Sequence, residues 1–163
     1  MLVQNSNIVP AFVPVDLSAA ANNGDWVSMK DYNRCAVVLL TSVGTAGDDP
    51  IFKLQQATAN DGTGAKNLTF TDIYEKEGAT ALSAVGQYSL VEQTAATSYT
   101  NTDAAENETV MVVEIQASDL DAANDFDHIQ LSVADVGTNA QLGVGFYILY
   151  EPRHAAQITP SAL

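Results

Sequence analysis

The chain has 163 residues, 47% of them hydrophobic, a size that suits one domain with its own core. Its 20 acidic and 6 basic residues give a net charge of −14, and the cations form no cluster, which excludes direct binding of nucleic acid and of an anionic membrane. A single cysteine excludes an intrachain disulfide framework, and the N-terminus lacks the basic start and apolar block of a signal peptide.

Short segments with period-two alternation or a brief apolar run predict about eight strands. In chain order these are residues 25–30, 33–42, 50–57, 67–75, 86–94, 109–116, 127–135 and 142–151. The run NRCAVVLLTS at 33–42 is apolar on both parities and predicts a central strand buried on both faces. An extended segment around 9–17 precedes them.

The connectors between these segments are rich in Gly, Asn, Asp, Thr and Ser, which predicts turns. The stretch NDGTGAKNLTF at 60–70 has the composition of a phosphate-binding loop but lacks the Gly-Lys-Ser/Thr of that loop. Strand patterns flank it on both sides, so it predicts a hairpin tip, with Gly62 and Gly64 serving backbone geometry. Lys66 on this tip is a candidate contact to a neighbouring subunit.

One segment has helical character. SDLDAANDF at 118–126 predicts a helix of one or two turns, with Ser118 as its N-cap and acidic residues in its first turn.

Many short strands with turn signals between them predict an all-β fold, a jelly-roll-like antiparallel β-sandwich. Residues 1–12 are predicted to form an N-terminal arm, 13–155 a single sandwich domain and 156–163 a C-terminal tail. The N-terminal segment has two interpretations. It either extends along a neighbouring subunit or forms the first edge strand of its own sandwich.

The residues that most often carry catalysis are isolated in this chain. His128 and His154 belong to no spaced ligand cluster, and Cys35 stands alone in an apolar strand, as a small core residue does. No Gly-x-Ser-x-Gly nucleophile motif is present. The sequence therefore predicts neither an enzyme nor a cofactor.

One acidic stretch is a weak candidate for calcium, because its side chains are the oxygen donors that calcium prefers. These donors are Asp119, Asp121, Asn124, Asp125 and Asp127. An EF-hand loop would need Gly at its sixth position and Glu at its twelfth, where this chain has Asn124 and Gln130. A solvated corner between two strands is the preferred interpretation.

Four segments together resemble a protein family: residues 24–40, 47–70, 124–137 and 145–155. They are similar to small virion proteins of tailed bacteriophages, the head decoration or cement proteins, and the similarity covers roughly residues 8–155. The resemblance implies a β-rich fold and a homo-oligomer, commonly a trimer, that sits on the capsid shell and binds the major capsid protein. It implies a protein made in the host bacterial cytoplasm and located in the virion. It brings no catalytic or ligand-binding residues.

A carbohydrate- or receptor-binding jelly-roll module on the virion surface or tail is the alternative, since jelly rolls also host lectins. Tyr32, Tyr88 and Tyr99 are the residues that would stack on sugars. Trp26 has two interpretations, a core residue or a subunit contact.

Overall fold

The computed structural model describes residues 5–78, 87–135 and 137–154, which form two antiparallel β-sheets. The strands are β1 (Ser6–Asp16), β2 (Asn22–Asn23), β3 (Val27–Ser28), β4 (Tyr32–Thr41), β5 (Ile51–Ala57), β6 (Lys66–Asn67), β7 (Phe70–Gly78), β8 (Ser89–Ala96), β9 (Ser98–Thr100), β10 (Glu108–Gln116), β11 (His128–Val133) and β12 (Leu142–Pro152). Sheet A has the order β1-β12-β4-β10-β7-β8. Sheet B has the order β2-β11-β5-β6, with β3 also paired to β11 and β9 to β5.

This architecture confirms the predicted all-β sandwich, whereas the jelly-roll topology stays a prediction. Seven of the eight predicted segments each became one strand with shifted ends. The segment at 67–75 was wrongly predicted as one strand, because Asn67 belongs to β6 of sheet B and the chain from Phe70 belongs to β7 of sheet A. The two- and three-residue strands β2 and β9 were not predicted. Such short pairings depend on neighbouring strands rather than on their own sequence.

The core lies between the two sheets and is built from the inward positions of each strand. Cys35, Val37 and Leu39 of β4 point into it, and Leu54 and Leu131 of sheet B face them with no exposed surface. Burial raises the pKa of the Cys35 thiol to about 12, so it stays protonated and unreactive at neutral pH. Cys35 is a core residue, as its place in an apolar run indicated.

The two sheets are also joined by a polar link through the core. Tyr147 of β12 is fully buried, and its hydroxyl reaches sheet B, where it accepts a hydrogen bond from the Leu131 amide at 2.8 Å. The same hydroxyl donates to the Asp25 carbonyl at 2.9 Å. The link lies between β2 and β3, which both pair with β11. Neither strand pairs with Leu131 of β11, so the Tyr147 hydroxyl takes the place of a backbone acceptor for the Leu131 amide. Gly24 lies in this gap. A Cβ at this position would lie 3.0 Å from the Tyr147 hydroxyl, so a larger residue would crowd the link.

The N-terminal segment forms the edge strand of sheet A. Strand β1 pairs antiparallel with β12 from Ser6 opposite Tyr150 to Asp16 opposite Leu142, with register shifts after Pro10 and Phe12. Prolines lack an amide donor and are confined to such edges. Of the two interpretations of this segment, the structure agrees with the second, an edge strand of its own sandwich. The predicted boundary at residue 12 falls inside β1.

The glycine-rich stretch at 60–70 contains a hairpin tip, as predicted. β6 pairs back on β5, with Lys66 opposite Gln56, and the chain then crosses to sheet A at Phe70. Gly62 and Gly64 both have positive φ, 81° and 70°, which L side chains rarely adopt. The Asp61 carboxylate accepts bonds from the Thr63 amide and hydroxyl, which lowers the pKa of Asp61.

The predicted helix is two separate 3₁₀ turns, at Ala117–Asp119 and Ala122–Asn124. The prediction of Ser118 as N-cap was wrong, because Gln116 precedes the first turn and Ser118 lies inside it. The Asp119 carboxylate instead accepts a hydrogen bond from the Gln116 amide at 2.8 Å. Each turn has only three residues and is too short to have a helix dipole that its acidic residues could stabilise.

The first four residues, residues 79–86 of the predicted turn at 77–86, and the predicted tail at 156–163 lie outside the described residues. Within the ranges that the structure does describe, no helix has the length and apolar character needed to cross a membrane.

Candidate interaction surface

The outward face of sheet A is apolar. We define this face by the side chains of β1, β12, β4, β10, β7 and β8 that point away from sheet B. The strand registers align six of them in one row across the whole sheet, and none of the six is charged. The row runs Pro10, Phe146, Val38, Val112, Tyr74, Leu90.

Two further rows flank this central row. On one side Ile8, Ile148 and Ala36 lie in register before Glu114 is reached. On the other side the row contains Val144, Leu40, Val110 and Lys76. Charged side chains therefore occur in the flanking rows, at Glu114 of β10 and Lys76 of β7, and none occurs in the central row.

The surface of this face is grooved and partly open to solvent. A groove of about 480 Å³ is lined by Val38, Val112 and Phe146, with Tyr74 and Tyr88 on its walls. A second groove of about 230 Å³ lies beside Leu40, Leu142 and Val144. Ile8 and Leu90, at opposite edges of the sheet, are 50% and 49% exposed.

The outward face of sheet B has the opposite character. Its exposed or half-buried positions include Lys53, Gln55 and Ser132, and Gln130 also points to this side. Antiparallel sheets commonly pack one face on the core and keep the other polar, and sheet B follows that rule. The outward face of sheet A is instead apolar along its central row, with charged side chains only outside that row, and large apolar surfaces mark sites of protein contact.

A polar cluster closes one end of the apolar face. The Arg34 Nε lies 3.2 Å from Glu151 and its Nη1 lies 3.9 Å from Glu114. Tyr150 adjoins the same guanidinium, and burial raises the pKa of the Tyr150 hydroxyl. The Arg34, Glu114 and Glu151 side chains are well exposed, so these ion pairs contribute little to stability. They mark where the apolar surface ends.

Three of the four aspartates considered for calcium have different partners. Asp119 accepts the Gln116 amide, Asp121 pairs with Lys66, and Asp127 pairs with Lys30 at 3.0 Å. Asp125 holds a left-handed backbone, with φ of 62°, at the end of the second 3₁₀ turn. Among the described residues no group of three or more His, Cys, Asp or Glu side chains is arranged to hold a metal.

Lys66 contacts its own chain. Its ammonium pairs with Asp121 and lies 4.0 Å from the centre of the Phe126 ring. Hydrogen bonds from Lys66 and Asn124 lower the pKa of Asp121. The hairpin tip is therefore fastened to the 3₁₀ corner. The sequence suggests a contact to a neighbouring subunit for this lysine and does not reveal these intramolecular partners, because even Asp121 is 55 residues away in the chain.

The aromatic residues considered for sugar or subunit contacts lie on separate elements. Tyr32 begins β4 and packs against the core, and Tyr99 of β9 donates from its hydroxyl to Glu75 at 3.0 Å. Tyr88 is 54% exposed and lines the larger groove of sheet A. Trp26 is half-buried, and the backbone of Gly62 packs against its ring.

The sequence does contain a signal for the apolar face: three strands have apolar residues at consecutive positions instead of at every second position. Strands β4, β10 and β12 carry apolar residues at both odd and even positions, as in CAVVLL, VMVV and VGFYIL. Only the run in β4 was interpreted as buried on both faces. The registers show that all three strands are adjacent, which joins three local signals into one surface.

Fold and surface together define a two-sheet β-sandwich with one apolar outward face. No family model matches the chain, and no curated protein matches it. Among solved structures the chain is similar to the SPBc2 prophage-derived protein YomS, with a TM-score of 0.47 and 10% sequence identity. The match covers 88% of this chain and 93% of that chain.

Proposed function

We propose that the chain is a structural protein of a bacteriophage particle, a capsid decoration or cement protein. In this proposal it binds the major capsid protein shell as a homo-oligomer, a trimer, and stabilises the shell. The proposal assigns it no catalytic activity and no cofactor. It is supported by the resemblance of residues 8–155 to such proteins, and the observation that carries it is the apolar outward face of sheet A.

The physical requirement of a cement protein is a set of surfaces. An apolar face supplies contact energy in proportion to the area removed from water, about 25 cal/mol per Å². The remaining surface holds most of the acidic residues of a chain with net charge −14, and such a surface suits a partner with basic patches. One face is thus suited to apolar packing and the rest to electrostatic contact.

Stabilisation of the shell would follow from mass action. A protein that binds only the assembled shell favours that state by an amount that grows with its concentration relative to Kd. No conformational change in the cement protein is needed for this effect.

The experiment compares particles that carry the protein with particles purified without it. We expect the depleted particles to release their genome at a lower temperature and under milder osmotic shock, and to regain resistance when the purified protein is added back. Equal resistance of the two preparations would contradict the bracing role.

A further inference from the structure

We infer that the outward face of sheet A is the surface on which a second copy of this chain packs. The inference rests on the homo-oligomer of the proposed function, but not on capsid binding. Within the described ranges every strand belongs to sheet A or sheet B, so no third layer of strands covers this face. Its central row is apolar from Pro10 to Leu90.

Charge distinguishes a second copy from a basic partner. Two copies each carry a net charge of −14 and repel one another through most of their surfaces. Strand alternation places six charged side chains on the outward face of sheet A, and all six lie outside the central row. Four are acidic and two are basic. These are Arg34, Asp72, Lys76, Glu92, Glu108 and Glu114.

The apolar face is therefore where an identical, acidic molecule can approach with the least repulsion. A basic shell protein would gain more from the acidic surfaces elsewhere on the molecule, because opposite charges there would steer and orient it. The apolar face has only two more carboxylates than cations, all outside its central row, and so offers such a partner little electrostatic advantage. The two kinds of surface thus favour two different occupants, and the apolar one favours a second copy.

The size of the face suits a protein interface. Six strands at about 4.8 Å spacing give a width of about 24 Å, and the seven residues from Arg34 to Leu40 give a length of about 20 Å. Stable interfaces bury about 800 Å² on each partner. The flat projection is about 500 Å² on each copy, or about 1,000 Å² for two copies, which is the lower end of the range for a specific interface. The exposed rim at Leu142 and Tyr88 adds to this area.

The centre of the face has the composition of an interface core. Phe146 lies between Pro10 and Val38, and Tyr74 and Tyr88 line the adjoining groove. Aromatic residues are enriched at the energetic centre of interfaces, while charged residues are depleted there. A charge introduced into this row would be buried without a partner in the oligomer.

The test measures the molar mass of the purified full-length chain by light scattering at micromolar concentration, with three variants. Val112→Glu places a carboxylate in the central row, and Leu90→Glu does so at the exposed edge strand. Gln55→Glu makes the same change of charge on the outward face of sheet B. We expect the wild type and Gln55→Glu to be oligomers. In the two sheet A variants we expect the association constant to fall by a factor of about 30 or more.

A monomeric wild type would overturn the inference, as would a folded Leu90→Glu variant with the wild-type mass. Equal dissociation of all three variants would also overturn it, because general repulsion would then explain the result. Circular dichroism checks folding, and Leu90→Glu decides the matter if Val112→Glu does not fold. A folded oligomer that fails to bind capsids would contradict the proposed function alone, whereas a monomer that binds them would contradict this inference alone.

Discussion

At the scale of single residues, a few buried polar groups fix how the sheets sit on one another. The clearest is Tyr147, whose hydroxyl satisfies a sheet B amide and a loop carbonyl from a sheet A strand. Such groups are costly when their partners are lost, because a buried donor then has neither protein nor water to bond. Nothing in the alternation of β12 distinguishes this tyrosine from an apolar core residue.

Replacing Tyr147 with Phe keeps the ring and removes the hydroxyl. We expect the free energy of unfolding to fall by about 1–3 kcal/mol, since the Leu131 amide is left buried and unpaired. Chemical denaturation measures the change. Tyr88→Phe is the matched control on an exposed ring and should change stability by less than about 0.5 kcal/mol. Equal stability of Tyr147→Phe and the wild type would show that the link contributes nothing.

Asp16 provides a pH-dependent contribution at the end of β1. Its carboxylate accepts bonds from the Ser18 hydroxyl and amide and from the Gln141 amide, and these bonds lower its pKa below the ordinary 3.8. A depressed pKa in the folded state means stability that is present above the unfolded pKa and is lost as pH falls through the folded pKa.

We therefore expect Asp16→Asn to melt at a lower temperature than the wild type at pH 6. The difference should shrink below about pH 4 and vanish when Asp16 is protonated. Asp31→Asn makes the same change of net charge at an exposed position before β4 and serves as control. A difference in melting temperature that is constant from pH 6 to about pH 2 would contradict the assignment.

At the scale of elements, the long alternating or apolar segments were predictable, because the pattern of apolar residues along a strand depends on which of its own faces are buried. Residues 33–42 became β4 with a shift of one residue. Sheet membership was not predictable, since β6 and β7 follow one another in the chain yet belong to different sheets. The apolar outward face depends on that membership, so its residues could be identified singly but not as one surface.

The fastening of the hairpin tip to the 3₁₀ corner is testable through Lys66. Lys66→Gln should lower the free energy of unfolding by about 0.5–1 kcal/mol, the usual worth of an exposed cation–π contact. Lys66→Glu should cost more, because its carboxylate would face Asp121. Lys53→Gln removes an exposed cation from β5 and is the matched control. Identical denaturation curves for all three variants would show that the tip is not held in this way.

At the scale of the whole molecule, charge and apolar area are segregated. The outward face of sheet A is apolar at its centre, sheet B is polar outside, and the chain as a whole is strongly acidic. Composition alone reveals the acidity but not its distribution, because that depends on strand order and register. This segregation supports a protein that acts through surfaces, with copies meeting on the apolar face and the shell meeting the acidic remainder.

The measurement that tests this account most directly is co-sedimentation of the purified chain with capsid shells. We expect the chain to pellet with assembled shells in a saturable manner, to stay in solution with unassembled capsid protein, and to be released by high salt as its acidic contacts are screened. A chain that remains in the supernatant at every shell concentration would contradict the account.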